Sequence, residues 1–419
     1  MDTTVSNLIP IEEIVSAEET LSKVITHTPV LLNHNLSAKY DCQLYLKRED
    51  MQVVRSFKIR GAYNKMSKMT AKQLKRGIIC ASAGNHAQGV AMACRLLDVK
   101  GVIYMPSTTP EQKINKVKHH GGGKVEILLH GDTFDDAFEA AREVADTDGL
   151  PFIHPFDDRD IISGQGTVGK EILDDMDVEI DYLIVSVGGG GLISGVGSYF
   201  KQISPRTQII AVESSGAPAM YNSLRDKKLV HLKDIDPFAD GIAVKSVGRT
   251  TFKICQDIID DIYLVPEGKI CSTILELYTD EAIVMEPAGA IVISVLDDIK
   301  NKIKGKNVVA ILSGGNNDIR RTEDIRERAL IYEGKKHYFI VQFPQRAGAL
   351  REFLELLGPK DDITHFEYTK KTSREQGPAL VGIELESKEG FDSFVEKLKE
   401  HGFSFQHVNE NPVLFNMLV

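Results

Sequence analysis

The sequence predicts an α/β protein followed by a smaller α+β domain. Between about residues 77 and 215, short β-branched runs alternate with segments of helical period, the pattern of a parallel sheet with crossover helices. After about residue 320 the order changes to strand, helix, strand, strand, helix, strand, which is the ferredoxin-like unit. A chain of 419 residues with 42% hydrophobic content can bury a large core and implies two or three domains.

Taken in order, residues 77–82 read as a strand, 86–98 as a helix, 101–105 and 125–129 as strands, and an acidic helix runs from Asp132. Residues 182–187 and 208–212 continue the strands, and 308–312 is a last buried one. The charged stretch 320–328 marks the change of pattern. We therefore expect a first domain at 1–325 with a smaller lobe at about 55–155 inserted in it, a linker at 326–335, and a second domain at 336–419. In the second domain the expected strands are 337–343, 363–370, 379–386 and 404–409, with helices at 347–357 and 391–401. Nothing there pairs a nucleophile with a base, so a regulatory or assembly role is expected of it.

Composition narrows the function classes. A net charge of −10, with no Lys/Arg tract interleaved with aromatics, argues against a nucleic-acid partner. Nowhere do about eighteen apolar residues run together, and the first thirty residues do not read as a signal peptide, so a cytoplasmic location is expected. The five cysteines are odd in number and widely spaced, which suits reduced core thiols and neither disulfides nor a metal cage.

The candidate chemistry centres on Ser56-Phe57-Lys58-Ile59-Arg60-Gly61-Ala62, since a lysine amine can hold an aldehyde cofactor covalently. Three loops follow strands directly, where an open α/β sheet gathers ligands. Ser82-Ala83-Gly84-Asn85-His86 opens a helix and offers backbone N–H groups and polar side chains to a carboxylate. Gly188-Gly189-Gly190-Gly191-Leu192 lets the backbone approach a phosphate. Ser313-Gly314-Gly315-Asn316-Asn317 places a hydroxyl where a heterocycle nitrogen could meet it. Each loop alone is an ordinary tight turn; the four elements together describe one site.

Those motifs, with Lys47-Arg48-Glu49-Asp50 and Ala87-Gln88-Gly89-Val90-Ala91, resemble the threonine/serine dehydratases, pyridoxal-phosphate enzymes of the tryptophan-synthase β-like fold, fold-type II. The resemblance runs from about residue 15 to 320. The tail resembles one ACT-like regulatory domain, most clearly at Phe343-Pro344-Gln345-Arg346-Ala347-Gly348-Ala349-Leu350. It implies a short-form biosynthetic threonine deaminase, a lyase turning L-threonine into 2-oxobutanoate and ammonia, inhibited by isoleucine with valine opposing, and assembled as a homotetramer. It further implies that Lys58 holds pyridoxal 5'-phosphate and later takes the α-proton. Asn85 would meet the ring hydroxyl, Gly188, Gly189, Gly190, Gly191 and Leu192 the phosphate, and Ser313 the pyridine nitrogen. Ser82, Ala83, Gly84, Asn85 and His86 would receive the substrate carboxylate, with Glu286 near the cofactor. A neutral hydroxyl at Ser313 leaves the ring a weaker electron sink, which favours losing the β-hydroxyl over transamination.

The sequence also departs from relatives. Ala83 stands where racemising relatives carry a second serine, so racemisation is not expected. Ala219 replaces the aspartate that, with Glu213 and the carbonyl at Ala217, would bind a divalent cation, so no tight metal site is expected. Gly164-Gln165-Gly166-Thr167-Val168-Gly169 fits a dinucleotide pattern without its strand or acidic partner and reads as a helix start. His119-His120 reads as a solvated turn, and Glu286-Pro287 as a helix opening. Arg346, at the start of a tail helix, is a candidate for an effector carboxylate. Three classes of function stay open at this point: a regulated threonine deaminase; a serine-preferring or β-replacement enzyme of the same fold; and a non-catalytic amino-acid sensor.

Overall fold

The computed structural model describes residues 7–369 and 375–418; residues 1–6 of the expected first domain, and Lys370 at the end of an expected strand, lie outside them. The chain divides into two compact units between Ile319 and Arg320.

The first unit contains nine described strands: β1 (Val30–Leu32), β2 (Gln43–Arg48), β3 (Ile78–Ala81), β4 (Gly101–Met105), β5 (Val125–Leu129), β6 (Tyr182–Ser186), β7 (Gln208–Ser214), β8 (Asp261–Val265) and β9 (Asn307–Leu312). They form two sheets. Strands β3-β4-β5 make a small parallel sheet, and β1-β2-β9-β6-β7-β8 a larger one, parallel except where β1 meets β2. Leu183, Ile184 and Val185 of β6 and Val308 to Leu312 of β9 are buried on both faces, which is why they read as continuous apolar runs. β2 escapes that reading because it carries Lys47, a charged residue that is nonetheless wholly buried.

The glycine-rich run 164–169 does not start a helix. It lies in the middle of the helix Arg159–Asp175, whose true cap is Asp158, accepting from the N–H groups of Asp160 and Ile161 at 2.9 and 3.3 Å. The reason is packing: an added Cβ at Gly164 would lie 2.7 Å from the carbonyl oxygen of Arg60. Removing side chains lets this helix press against the helix Lys58–Ser67.

One buried ion cluster holds those two helices to the large sheet. Arg60 donates to Glu49 at 2.9 and 2.7 Å and to Glu171 at 2.7 and 2.8 Å, and reaches the Thr167 hydroxyl at 3.1 Å. Lys47 donates to Glu171 and to the Thr28 carbonyl, both at 2.6 Å. Arg60, Lys47 and Glu49 have no exposed surface. The two cations hold the Glu171 carboxyl below the usual carboxylate range, against the effect of its burial.

The second unit has four strands, β10 (Lys336–Pro344), β11 (Asp362–Tyr368), β12 (Gln376–Glu384) and β13 (Ser404–His407), in the antiparallel order β11-β12-β10-β13. Helices Ala349–Leu354 and Gly390–Glu400 complete the ferredoxin-like order, and Phe339, Phe343, Phe353 and Phe394 form its core. A further helix, Pro412–Leu418, follows. The span 326–335, expected as a linker, is helical as far as residue 332 within Thr322–Tyr332: Ile325 and Ala329, four apart, are buried on one face, and the Glu327 carboxylate accepts from Lys336 and the Tyr338 hydroxyl of β10.

Glu171→Ala leaves Arg60 and Lys47 buried with half their compensation. We expect it to cost about 3–5 kcal/mol of stability, read as a lowered urea midpoint for the first unit.

Candidate active site

The ends of three strands meet at one cleft. β6 and β9 are neighbours in the large sheet, and β3 brings its following loop from the small sheet. Lys58 reaches the cleft as the first residue of the helix Lys58–Ser67. Its approach is fixed by a backbone zipper, in which Phe57 N–H donates to the Ser313 carbonyl at 3.2 Å and Gly315 N–H to the Arg55 carbonyl at 2.9 Å. The cleft is lined by Phe57, Lys58, Asn85, Phe156, Glu286 and Ser313, together with the glycine loop.

Lys58 Nζ donates to the Pro155 carbonyl at 3.0 Å. Desolvation lowers its pKa to about 8, with the nearby Glu286 opposing the shift. Glu286 moves the other way, to about 7, chiefly because burial penalises its charge and then because Asp240 is near. Opposed shifts of this kind in a cleft make the two groups candidates for acid–base work. Glu286 also stands at the N-cap position of the helix Pro287–Ser294, without a side-chain capping bond, and Pro287 takes the first helical position as expected.

Gly190 adopts φ 91° and caps the helix Gly191–Ile203, whose first-turn amides have no intrahelical acceptor and face an anion naturally. Protein also crowds this loop. A Cβ at Gly188 would lie 2.7 Å from the Ile242 backbone, and one at Gly189 2.3 Å from the Phe156 ring. Leu192 is buried at the cleft wall. Ser313 Oγ donates to the Ala288 carbonyl at 3.1 Å and lies 3.4 Å from Ser186 Oγ.

Asn85 Nδ2 donates to Glu286 Oε1 at 2.6 Å. The rest of its loop behaves differently from the side-chain roles expected of it. Ser82 Oγ accepts from Gly84 N–H at 3.1 Å, and His86 Nε2 donates to the Ile153 carbonyl at 2.9 Å. Burial, followed by the charge on Lys58, pushes the His86 pKa down to about 3, so the ring stays neutral. Ser82, Ala83, Gly84 and His86 do not line the cleft; what the loop can offer a carboxylate is its helix-opening amides.

Several contributors were not read from sequence. His154 Nδ1 accepts from Phe156 N–H at 3.2 Å and Asp157 N–H at 2.8 Å, forming the turn that presents the Pro155 carbonyl to Lys58 and the Phe156 ring to the glycine loop. Asp157 then caps the helix Arg249–Ile258, taking the N–H groups of Arg249 and Thr250 at 2.9 Å. His154-Pro155-Phe156-Asp157 carries no periodic signal, and its hydrogen-bond partners Lys58 and Arg249 lie 97 and 92 residues away. Glu213 accepts from the N–H groups of Met220 and Tyr221 at 2.8 Å, so both carboxylate oxygens are committed to a helix start. Among the described residues no group of His, Cys, Asp or Glu is placed to hold a metal. His119 and His120 end the helix Glu111–Gly121. In the second unit Arg346 is exposed and forked to Glu352 at 2.7 Å, three residues before the helix Ala349–Leu354.

The protein family described as pyridoxal-phosphate dependent enzyme matches residues 21–314, and the C-terminal regulatory domain of threonine dehydratase matches residues 327–418. The chain is 57% identical to the L-threonine dehydratase biosynthetic IlvA of Halalkalibacterium halodurans, over 98% of this chain and 99% of that one. It is 53% identical to the protein of the same name from Bacillus subtilis, over 99% and 98%. Among solved structures it resembles the processed form of threonine deaminase isoform 2 from Solanum lycopersicum, with 42% identity and a TM-score of 0.71, over 77% of this chain and 95% of that one.

Because its pKa lies near 8, the Lys58 amine is neutral above that value and charged below it. We expect its rate of condensation with an added aldehyde to fall about tenfold per pH unit on the acid side of this value, measured by stopped-flow absorbance on cofactor-free protein. A rate flat between pH 6 and about pH 9 would contradict the assigned shift.

Proposed function

The chain belongs to the pyridoxal-phosphate dependent enzymes, and from that premise we propose that it is a biosynthetic threonine dehydratase, eliminating water from L-threonine and returning it on hydrolysis of the enamine, so that the net products are 2-oxobutanoate and ammonia. The observation that carries this reading is similarity across both units at once, 57% identity over 98% of the chain to a relative of that name. It makes the protein a lyase acting in isoleucine synthesis.

The residues of the cleft fit the cofactor. A lysine amine of lowered pKa for its aldehyde, helix-start amides at Gly188 to Leu192 for its phosphate, the Ser313 hydroxyl for its ring nitrogen and the Asn85 amide for its ring oxygen all border one cavity. When bound, pyridoxal phosphate supplies an electron sink for the substrate's α-carbon. The remaining work is the protein's. Amides of the loop 82–86 receive the substrate carboxylate, and Phe156 and Leu192 narrow the space open to water. Lys58, whose lowered pKa keeps a useful fraction neutral, takes the α-proton as the β-hydroxyl departs. The released enamine takes up water to give 2-oxobutanoate and ammonia.

The second unit, matched by the regulatory-domain family, is the regulatory part of this reading. Isoleucine would bind it and inhibit, valine would oppose, and Arg346 is the candidate partner for the effector carboxylate. No described helix is long and apolar enough to cross a membrane; we place the protein in the cytoplasm as a homotetramer.

The test is the initial rate of 2-oxobutanoate release from L-threonine, titrated with isoleucine. Turnover that isoleucine suppresses is expected, with L-serine a poorer substrate. Absence of turnover on threonine would overturn the reading, and turnover indifferent to isoleucine would remove the role given to the second unit.

A further inference from the structure

Asn85 is held by a chain of hydrogen bonds that starts well outside the cleft. Lys116, on the helix Glu111–Gly121 of the smaller lobe, donates to Asn316 Oδ1 at 3.3 Å. Asn316 Nδ2 donates both to the Val54 carbonyl and to Asn85 Oδ1, each at 2.8 Å. Asn85 Nδ2 then donates to Glu286 Oε1 at 2.6 Å. Neither Lys116 nor Asn316 lines the cleft.

The direction of this chain follows from donor and acceptor inventories, which settle what a carboxamide's outline does not. An ammonium has three donors and no acceptor, and a backbone carbonyl only accepts. Asn316 must therefore turn its oxygen to Lys116 and its nitrogen to Val54. That leaves its remaining N–H for Asn85, whose oxygen must face it, so the nitrogen of Asn85 points into the cleft. Reversal would set an amide oxygen against the Glu286 carboxylate and leave two nitrogens opposed.

We infer that Asn316, oriented by Lys116, is a positioning residue that fixes Asn85 as a hydrogen-bond donor toward the cofactor's ring oxygen and so favours that oxygen in its ionised form. The inference rests on the role proposed above for Asn85. It assigns to the asparagine of the Ser313-Gly314-Gly315-Asn316 loop a function separate from that of Ser313, and it links the smaller lobe to the site through one lysine.

The experiment uses full-length protein and three variants: Asn85→Ala as the reference, Asn316→Asp, which replaces the donor with a group that only accepts, and Lys116→Met, which removes the far end. Two quantities are read at fixed pH, the Kd of cofactor-free protein for pyridoxal phosphate and the absorption spectrum of the bound cofactor. Thermal unfolding of each cofactor-free variant separates loss of fold from loss of orientation. Asn316→Asp should weaken binding by about tenfold or more, the scale of one hydrogen bond to a charged group, and shift the spectrum toward the protonated ring oxygen as Asn85→Ala does. Lys116→Met should shift both in the same direction by less. Wild-type affinity and spectrum in Asn316→Asp and Lys116→Met, with both changed in Asn85→Ala, would overturn the inference alone. No change in Asn85→Ala either would overturn the role of Asn85 and the inference with it.

Discussion

Arg60 shares its guanidinium between two buried carboxylates, Glu49 and Glu171, and the placement of the cleft depends on that shared charge. Glu49 follows β2 of the large sheet, Glu171 belongs to the helix Arg159–Asp175, and Arg60 lies two residues beyond Lys58. Moving an ion from water into such surroundings costs several kcal/mol, roughly recovered when partner geometry is good. The net contribution to stability is therefore modest, whereas the penalty for any other arrangement of these segments is large. A rigid planar fork with five donors that bonds two carboxylates at once fixes their placement relative to its own plane. The cluster consequently sets the direction from which Lys58 enters the site.

The same logic of exclusion shapes the rest of the cleft. Around the glycine loop and the Ser313 loop, neighbouring atoms approach the backbone so closely that a methyl group would collide: a Cβ would lie 2.7 Å from the Ile242 backbone at Gly188 and 2.3 Å from Glu286 Oε1 at Gly314. Such contacts bring Glu286, Ser313 and the glycine loop around one small volume without long side chains. Within it, burial pulls Lys58 and Glu286 toward neutrality from opposite sides, so that both titrate near physiological pH.

Much of this was legible in the sequence because it rests on local patterns. β6 and β9 are apolar on both faces, and the loops after them are marked by glycine, so Gly188 to Leu192 and Ser313 could be placed at strand ends before any coordinates. Lys58 was legible as a motif. What the sequence concealed depends on partners far apart along the chain. Arg60 and Glu171 are 111 residues apart, and the His86 ring finds the Ile153 carbonyl 67 residues away. For that reason His86 read as a ligand for substrate although its ring is tied to backbone. β1, β2 and β8 were missed because they are short, half-exposed or carry a buried charge. Residues 326–332 of the helix Thr322–Tyr332 read as part of a linker because only two of the helix's residues, Ile325 and Ala329, are buried.

The central claim is that the amine at position 58 holds the cofactor. Borohydride reduction of the holoenzyme, followed by proteolysis and mass spectrometry, tests it most directly. The account predicts a single phosphopyridoxyl adduct, on Lys58. An adduct on another lysine, or none in a protein that nevertheless binds the cofactor, would contradict it.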